Sequence, residues 1–499
     1  MTDTQNKIET EVAIIGGGPA GVMSAKYCGI YGLSAVVFDR AEDVYDLPRA
    51  VGMWDDVQRI VADAGLMDDV LPSMCEQVGA EFVDAAGKRL SGLDVPPGFL
   101  TPNGYPFVRG FHQPGFEHAV RRRLADHDEV SLLPLHEAER VSQDEDGVDV
   151  TVRDLASGGT KDVRAKWLIG CDGASSFVRR SCDISWDNIG YDQEWLVVDV
   201  TITGDVELPP LMTQICDAAR PTTVIPLPLG MHRWEFELLP GETREEMEAP
   251  DRVWSLLSRW MKPSDGKIER AVVYNFHATI ASTFRNGRVF LAGDSAHQTP
   301  PFMGQGLCSG MRDVSNLVWK LRAVTDGSAG DALLDTYTDE RRAMAIAAVK
   351  HSVNTGKLID AWAAMGAGGP EPSEELKAYA YGGSAQLPHP TTGLLSGEDS
   401  EWVGQPVPQC NVTCEFGIGM FDEAVGHRWA VVAKNDPRDS IDAANRKFWE
   451  NLGAAFVSVP EPADAMLGLL LGHEVVVVRP DRLIYAVSDK RPDLAKQSA

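Results

Sequence analysis

Three short apolar runs in this chain end abruptly at small residues, and each is followed by an acid or a glycine-rich loop. The first, Glu11 to Gly21, reads EVAIIGGGPAG; the second, Trp167 to Gly173, reads WLIGCDG; the third, Val289 to His297, reads VFLAGDSAH. Ligands of open α/β sheets bind just beyond the carboxyl ends of the strands. Three such ends call for one long ligand lying across several of them, and a flavin dinucleotide has that length and that mixture of diphosphate, sugar and ring.

The residue types suit that chemistry. Gly16 permits a tight turn, Gly18 lets a diphosphate approach the backbone, and Gly21 lets helix and strand pack closely, while Pro19 and Ala20 open the helix whose N-terminus faces the phosphate charge. Asp39, followed by Arg40, ends the next strand about 20 residues on, where an acid can bond ribose hydroxyls. Asp172 begins DGASSFVR, which reads both as a turn with a helix N-cap and as a second acid beside the ligand. Asp294 in GDSAH can accept a hydrogen bond from a sugar-alcohol hydroxyl. The PPFMGQG run after it sets a Pro-Pro turn, with Pro301 in its second position, and places Gly304 and Gly306 at the start of a long helix. Bare N–H groups and the helix dipole there favour negative charge, such as that on the pyrimidine end of a reduced flavin.

These residues need a scaffold. Residues 11–15, 19–31 and 35–39 read as a βαβ unit, 55–64 and 113–124 as helices, and 130–155 as a strand meander turning at Glu145–Gly147. Residues 191–281 have a different texture, with strand-like runs at 195–202, 222–225, 233–238 and 271–276 and one helix near 253–261, which predicts a mostly antiparallel lobe. Helices follow at about 306–325 and 331–364, and 366–396 is rich in Gly, Pro and Ser and reads as a linker. A compact α/β unit closes the chain. The expected fold is thus α/β: a Rossmann-type dinucleotide domain (1–80, 106–190 and 282–365) interleaved with an antiparallel substrate lobe (81–105 and 191–281), then the linker, then a third domain at 397–499.

Composition narrows the partners. The 46 basic against 73 acidic residues leave a net charge of −27, which argues against nucleic acid or an anionic membrane as a main partner. No apolar run reaches the ~18 residues of a membrane span, and the polar amino terminus has no signal-peptide pattern, so a cytoplasmic protein with reduced cysteines is expected. Cys410 and Cys414 are spaced C-x3-C rather than as a redox pair, and no metal site is read.

GxGxxG near the start, CDGASSFVR in the middle and GDSAHQTPPFMGQG later, in that order, resemble the single-component flavoprotein aromatic hydroxylases, the group of p-hydroxybenzoate and phenol hydroxylases. Within it, PRAVG at 48–52, WLVVD at 195–199, ICD at 215–217 with Arg220 and Pro221, and RWEF at 233–236 look most like 3-(3-hydroxyphenyl)propionate hydroxylases. The closing VRPD at 478–481 resembles the thioredoxin-like tail of longer members; without a C-x-x-C pair its expected role is packing or dimerisation. The resemblance implies tightly bound FAD, transiently bound NADH or NADPH, O2, and hydroxylation of a phenol ortho or para to its hydroxyl. It also implies roles: Asp39 on the adenosine ribose, Arg49 on the diphosphate or flavin, Gln113 and Asp294 on the ribityl chain, and Asp172 near the diphosphate. The Pro301 carbonyl would lie by the substrate hydroxyl, the backbone of Gly306, Leu307 and Cys308 would meet the flavin pyrimidine edge, and Gln305 would be near. Arg220 or Arg233 would hold a propionate-like tail, and His232 or Tyr191 would activate the phenol. Met53 and Trp54, where relatives tend to carry acids, leave the substrate open, and a flavin monooxygenase of larger polycyclic polyketides or antibiotics shares every cofactor motif. A flavin-bearing protein without turnover would be supported by loss of the PPF loop or of Asp294, and both are intact, while a nicotinamide dehydrogenase gives Asp294 and its loop no task.

Overall fold

The computed structural model describes residues 7–383, 387, 389–461 and 464–494. The amino terminus before Lys7 and part of the expected linker, 384–386 and 388, lie outside the described residues.

The strand Lys7–Ile15 pairs in parallel with Ala35–Phe38 on one side and with Thr160–Gly170 on the other, which in turn pairs in parallel with Val289–Leu291. The runs at their centre are apolar on every residue, as a sheet covered on both faces requires. Because the strands are parallel, all three glycine-rich ends emerge on one edge. Backbone bonds continue past the strands and tie these ends together: Gly16 N–H to the Phe38 carbonyl at 2.8 Å, Cys171 N–H to Ile15 at 2.7 Å and Ala292 N–H to Gly170 at 3.0 Å. The meander 136–154 attaches to this sheet as an antiparallel flap.

A second sheet of eight strands runs in the order His297–Gln298, Gly266–Ala281, Trp186–Ile202, Met231–Glu237, Thr222–Pro226, Met212–Cys216, Gly79–Asp84, Arg89–Asp94. It is antiparallel except where Met212–Cys216 meets Gly79–Asp84 in parallel. Side chains alternate across it. Leu196, Val198, Trp234 and Phe236 form a core with Val253 and Leu257 on the back, where the helix spans Pro250–Leu257 and stops short of the expected Met261. The other face looks toward the first sheet.

The segment read as a linker is not a free tether. It holds a short helix, Glu374–Lys377, and Tyr381 stacks on Phe82 at 4.4 Å between ring centroids. Composition alone reads Gly and Ser as flexibility; here they let the chain turn closely over the substrate sheet. The closing unit is a six-stranded mixed sheet, which gains a hairpin, Asn411–Cys414 with Gly417–Met420, that the sequence reading passed over.

A buried ionic cluster fastens this unit to the long helix Ala332–Gly366. Arg479 meets Glu340 at 2.7 Å and Asp481 at 2.6 Å, and Lys320 meets Glu340 at 3.0 Å. Burial pushes the Glu340 carboxyl up, but Arg479 and Lys320 outweigh it and bring the group down to about 2. The folded-state value lies below the unfolded one, so the stabilisation is complete above the ordinary carboxylate range and disappears as pH falls toward 2. Glu340→Gln leaves two buried cations short of a partner and is expected to cost about 3–5 kcal/mol. Trp429 and Trp449 pack at this contact, so their fluorescence in a urea titration reports the loss, which shrinks for wild type relative to the variant as the buffer is acidified.

Candidate active site

Between the two sheets lies a cavity of about 1200 Å³. The three strand ends open into it. The helix Pro19–Ile30 starts at its wall with no side-chain cap and no acid in its first turn, and Gly18, Pro19 and Ala20 line the wall there. A Cβ on Gly21 would stand 1.8 Å from the Gly16 carbonyl oxygen, so no other residue allows this approach of helix to strand. The helix Gln305–Thr325 also starts at the wall without a cap or an acid, after Gly304 in the left-handed conformation at φ +60°, and Gly304, Gly306 and Leu307 line it. Each start leaves backbone donors that need an acceptor.

Asp294 is exposed and lines this cavity. Among the described residues no protein group donates a hydrogen bond to its carboxylate; burial raises its pKa, against the pull of His297 and Arg49. His297 itself is held elsewhere, 2.7 Å from Asp313, whose carboxylate also takes the Gly293 N–H at 3.0 Å and fixes the turn that carries Asp294. Two bare helix starts and one orphaned acceptor on one cavity fit the two anionic parts and the hydroxylated chain of FAD.

The loop carrying Pro301 is pinned from three directions. Ser352 donates to the Pro300 carbonyl at 2.6 Å, Trp54 Nε1 to Met303 at 3.1 Å, and Tyr381 to Phe302 at 3.2 Å. Pro301 lines the cavity, and its carbonyl already accepts the Gly304 N–H at 2.8 Å, leaving one lone pair. Arg49 lines the cavity as well, and its loop is held from both ends: Gln113 Oε1 accepts the N–H of Arg49 at 3.1 Å and of Ala50 at 2.7 Å, while Arg233 donates to the carbonyls of Arg49 at 2.7 Å and Pro48 at 2.5 Å. Gln113 therefore acts on the loop through its side-chain oxygen.

Other expected residues sit differently. Asp39 accepts the N–H of Gly17 at 2.8 Å and of Ala41 at 2.9 Å and, with exposed Arg40, lies off the cavity wall. Asp172 accepts the Ser176 hydroxyl at 2.5 Å and the Val178 N–H at 3.0 Å, so its carboxylate organises the start of the next helix, and it is Cys171 and Gly173 that reach the wall. The Cys308 thiol faces the Gly52 carbonyl instead of the cavity.

Of the substrate-side expectations, Arg233 reaches the wall, bound to Asp199 at 2.7 Å, but Arg220 does not: Glu242 takes it bidentately at 2.6 and 2.8 Å. His232 adjoins Arg233 in one strand, so it must point to the opposite face; it lies off the cavity, tilted against Trp234. Tyr191 packs its ring on Phe302 and gives its hydroxyl to Gln193. Arg270, Glu235 and Tyr274 on the sheet, and His351 on the long helix, line the cavity and were not singled out from sequence. Strand alternation from Arg233 reaches Glu235; the others depend on register and on the long helix's packing. Burial lowers the His351 pKa.

The chain is similar to known proteins over most of its length. Residues 9–352 match the family described as FAD binding domain, and residues 404–468 match the HcaD C-terminal domain. A 3-(3-hydroxy-phenyl)propionate/3-hydroxycinnamic acid hydroxylase of Klebsiella pneumoniae (strain 342) is 32% identical, covering 96% of this chain and 92% of its own. One of Escherichia coli (strain K12) is 34% identical, covering 90% and 82%. The structure of the flavin-dependent monooxygenase PieE, with FAD and substrate, superposes with a TM-score of 0.80 at 21% identity over 97% of this chain and 96% of that one. The chain belongs to the FAD-binding monooxygenase family. It is an FAD-dependent aromatic hydroxylase, and none of its described helices is long and apolar enough to cross a membrane.

Two variants probe these placements. Asp294→Ala is expected to weaken FAD binding about 10- to 100-fold, the loss of a charged hydrogen bond worth about 1.5–3 kcal/mol, read as flavin absorbance per chain after gel filtration. His232→Phe is expected to keep kcat within about twofold with an unshifted pH profile, where loss of a general base costs about 100-fold or more.

Proposed function

We propose that this enzyme hydroxylates a single-ring phenolic acid of the 3-(3-hydroxyphenyl)propionate kind, ortho or para to the existing hydroxyl, using NAD(P)H and O2. The observation that carries the reading is the likeness, over nine-tenths or more of the chain, to relatives bearing that activity in their names, joined to a cavity that unites the flavin-type site with an apolar and partly basic sheet face.

Bound FAD, once reduced, supplies the activation of dioxygen for transfer to an aromatic carbon. The protein's own contributions follow from the geometry. The helix Pro19–Ile30 would meet the diphosphate, Asp294 the ribityl hydroxyls, and the helix Gln305–Thr325 the ring edge on which negative charge gathers, each through groups that have no other partner. The pinned 300–304 loop and the loop at 48–50 would hold the ring between them. Val197, Met212, Ile225 and Phe276 form a dry wall where an aromatic guest can lie, which limits side reactions with water. No second dinucleotide fingerprint is present, in keeping with a nicotinamide that visits and leaves.

The test is NAD(P)H consumption by the holoenzyme across phenols of graded size, with product identification. The reading expects strong stimulation by 3-(3-hydroxyphenyl)propionate and one hydroxylated product per NAD(P)H. Stimulation only by polycyclic phenols contradicts it.

A further inference from the structure

The substrate sheet carries a row of charges that the cofactor site does not account for. Asp199 stands directly across from Arg233 on one neighbouring strand and from Arg270 on the other. All three are buried. The two arginines are not equivalent. Arg233 gives Nε and Nη2 to Asp199, Nη2 also to the Pro48 carbonyl and Nη1 to the Arg49 carbonyl, so four of its five N–H donors are spent on Asp199 and that loop. Arg270 has one hydrogen bond, from Nη1 to the Tyr274 hydroxyl at 3.2 Å, and its Nη2 stands 2.6 Å from Asp199. Neither Nε nor Nη2 of Arg270 makes a hydrogen bond of good geometry, although the residue is 3% exposed and lines the cavity. A buried guanidinium whose Nε has no partner, in a residue that borders a cavity, is short of acceptors.

The charges agree. Two guanidinium groups share one carboxylate that both contact. The other acid nearby, Glu235, is 3.8 Å from Arg233, and burial raises its pKa despite that neighbour. Burial and the adjacent Arg233 lower the pKa of Arg270, the sign of a cation whose surroundings offer too little negative charge.

We infer that Arg270 is the residue that binds the anionic tail of the substrate, its unbonded Nε and the Nη2 group it turns toward Asp199, with the Tyr274 hydroxyl beside them, taking up the carboxylate of the phenolic acid. This rests on the reading of the site as one for phenolic acids and assigns to Arg270 the role that sequence gave to Arg220 or Arg233. Arg220 is held by Glu242 off the cavity, and Arg233 has four of its five donors committed to Asp199 and the 48–49 loop. A guanidinium presents paired donors that match a carboxylate, which a lysine ammonium does not reproduce.

The test compares 3-(3-hydroxyphenyl)propionate with 3-propylphenol, a neutral compound of the same ring and chain length. Both are assayed with holoenzyme by NAD(P)H oxidation, and their dissociation constants are read from the flavin absorbance change. Wild type is expected to prefer the acid. In R270M that preference, as a ratio of kcat/KM and as a ratio of dissociation constants, is expected to fall about tenfold or more, with partial recovery in R270K. Flavin content certifies the fold of each variant; should R270M not fold, the milder drop expected of R270K carries the test. An unchanged ratio in folded variants, or a wild type indifferent to the charge, overturns the role of Arg270 while leaving the hydroxylase reading in place. A wild type that accepts neither compound removes the phenolic-acid reading, and this inference with it.

Discussion

Two helices of this chain begin without a side chain to satisfy their first N–H groups, and both begin at the wall of one cavity. Everything else about the site follows from that arrangement. Helix starts of this kind hold partial positive charge, and without a capping Ser, Thr or Asp they are costly unless something anionic arrives. The parallel sheet makes the arrangement possible, because it delivers three strand ends to the same edge, with Asp294 between the two helix starts as an acceptor without a donor. A dinucleotide bearing a diphosphate at one place and an electron-rich ring at another answers all three deficits together.

The second sheet supplies the opposite wall and divides its labour by face. One face is sealed against helices by large apolar residues; the other offers the guest a surface that is apolar at Val197 and Ile225 and charged along the Arg233–Asp199–Arg270 row. Arg233 joins the walls, since it reaches from the substrate sheet to the loop that carries Arg49. The closing unit reaches the cavity wall at Gln405, Pro406 and Asp481 to Leu483. Its buried contacts, Arg479 with Glu340 and Asp422 with Arg59, brace the long helix and the helix Asp55–Asp63 that back the cavity.

Much of the fold was legible because the signals are local. The GxGxxG turn, the apolar strands and the long helices are each specified within a dozen residues, and the spacing of Gly21 from Gly16 already states how close helix and strand must come. Asp294 was legible for the same reason. What sequence could not show depends on pairing between distant segments. His232 and Arg233 look equally eligible in a string, and only strand alternation separates the one that reaches the cavity from the one that does not. Arg270 is far along the chain from Asp199, and its importance exists only in the register that sets them abreast. Asp39 and Asp172 sit at the expected strand ends, yet their carboxylates bind backbone amides that shape the loops. The Gly- and Ser-rich stretch before residue 383 gave no hint that Tyr381 would stack on Phe82 and brace the Pro301 loop.

The claim at the centre, that uncapped helix starts recognise the charge of the cofactor, is tested most directly by calorimetric titration of flavin-free protein with FAD and with riboflavin, which has the same ring and ribityl chain but no diphosphate. The account predicts that FAD binds far more tightly than riboflavin and that the difference narrows as salt is raised. Equal affinities, or no uptake of either flavin, would contradict it.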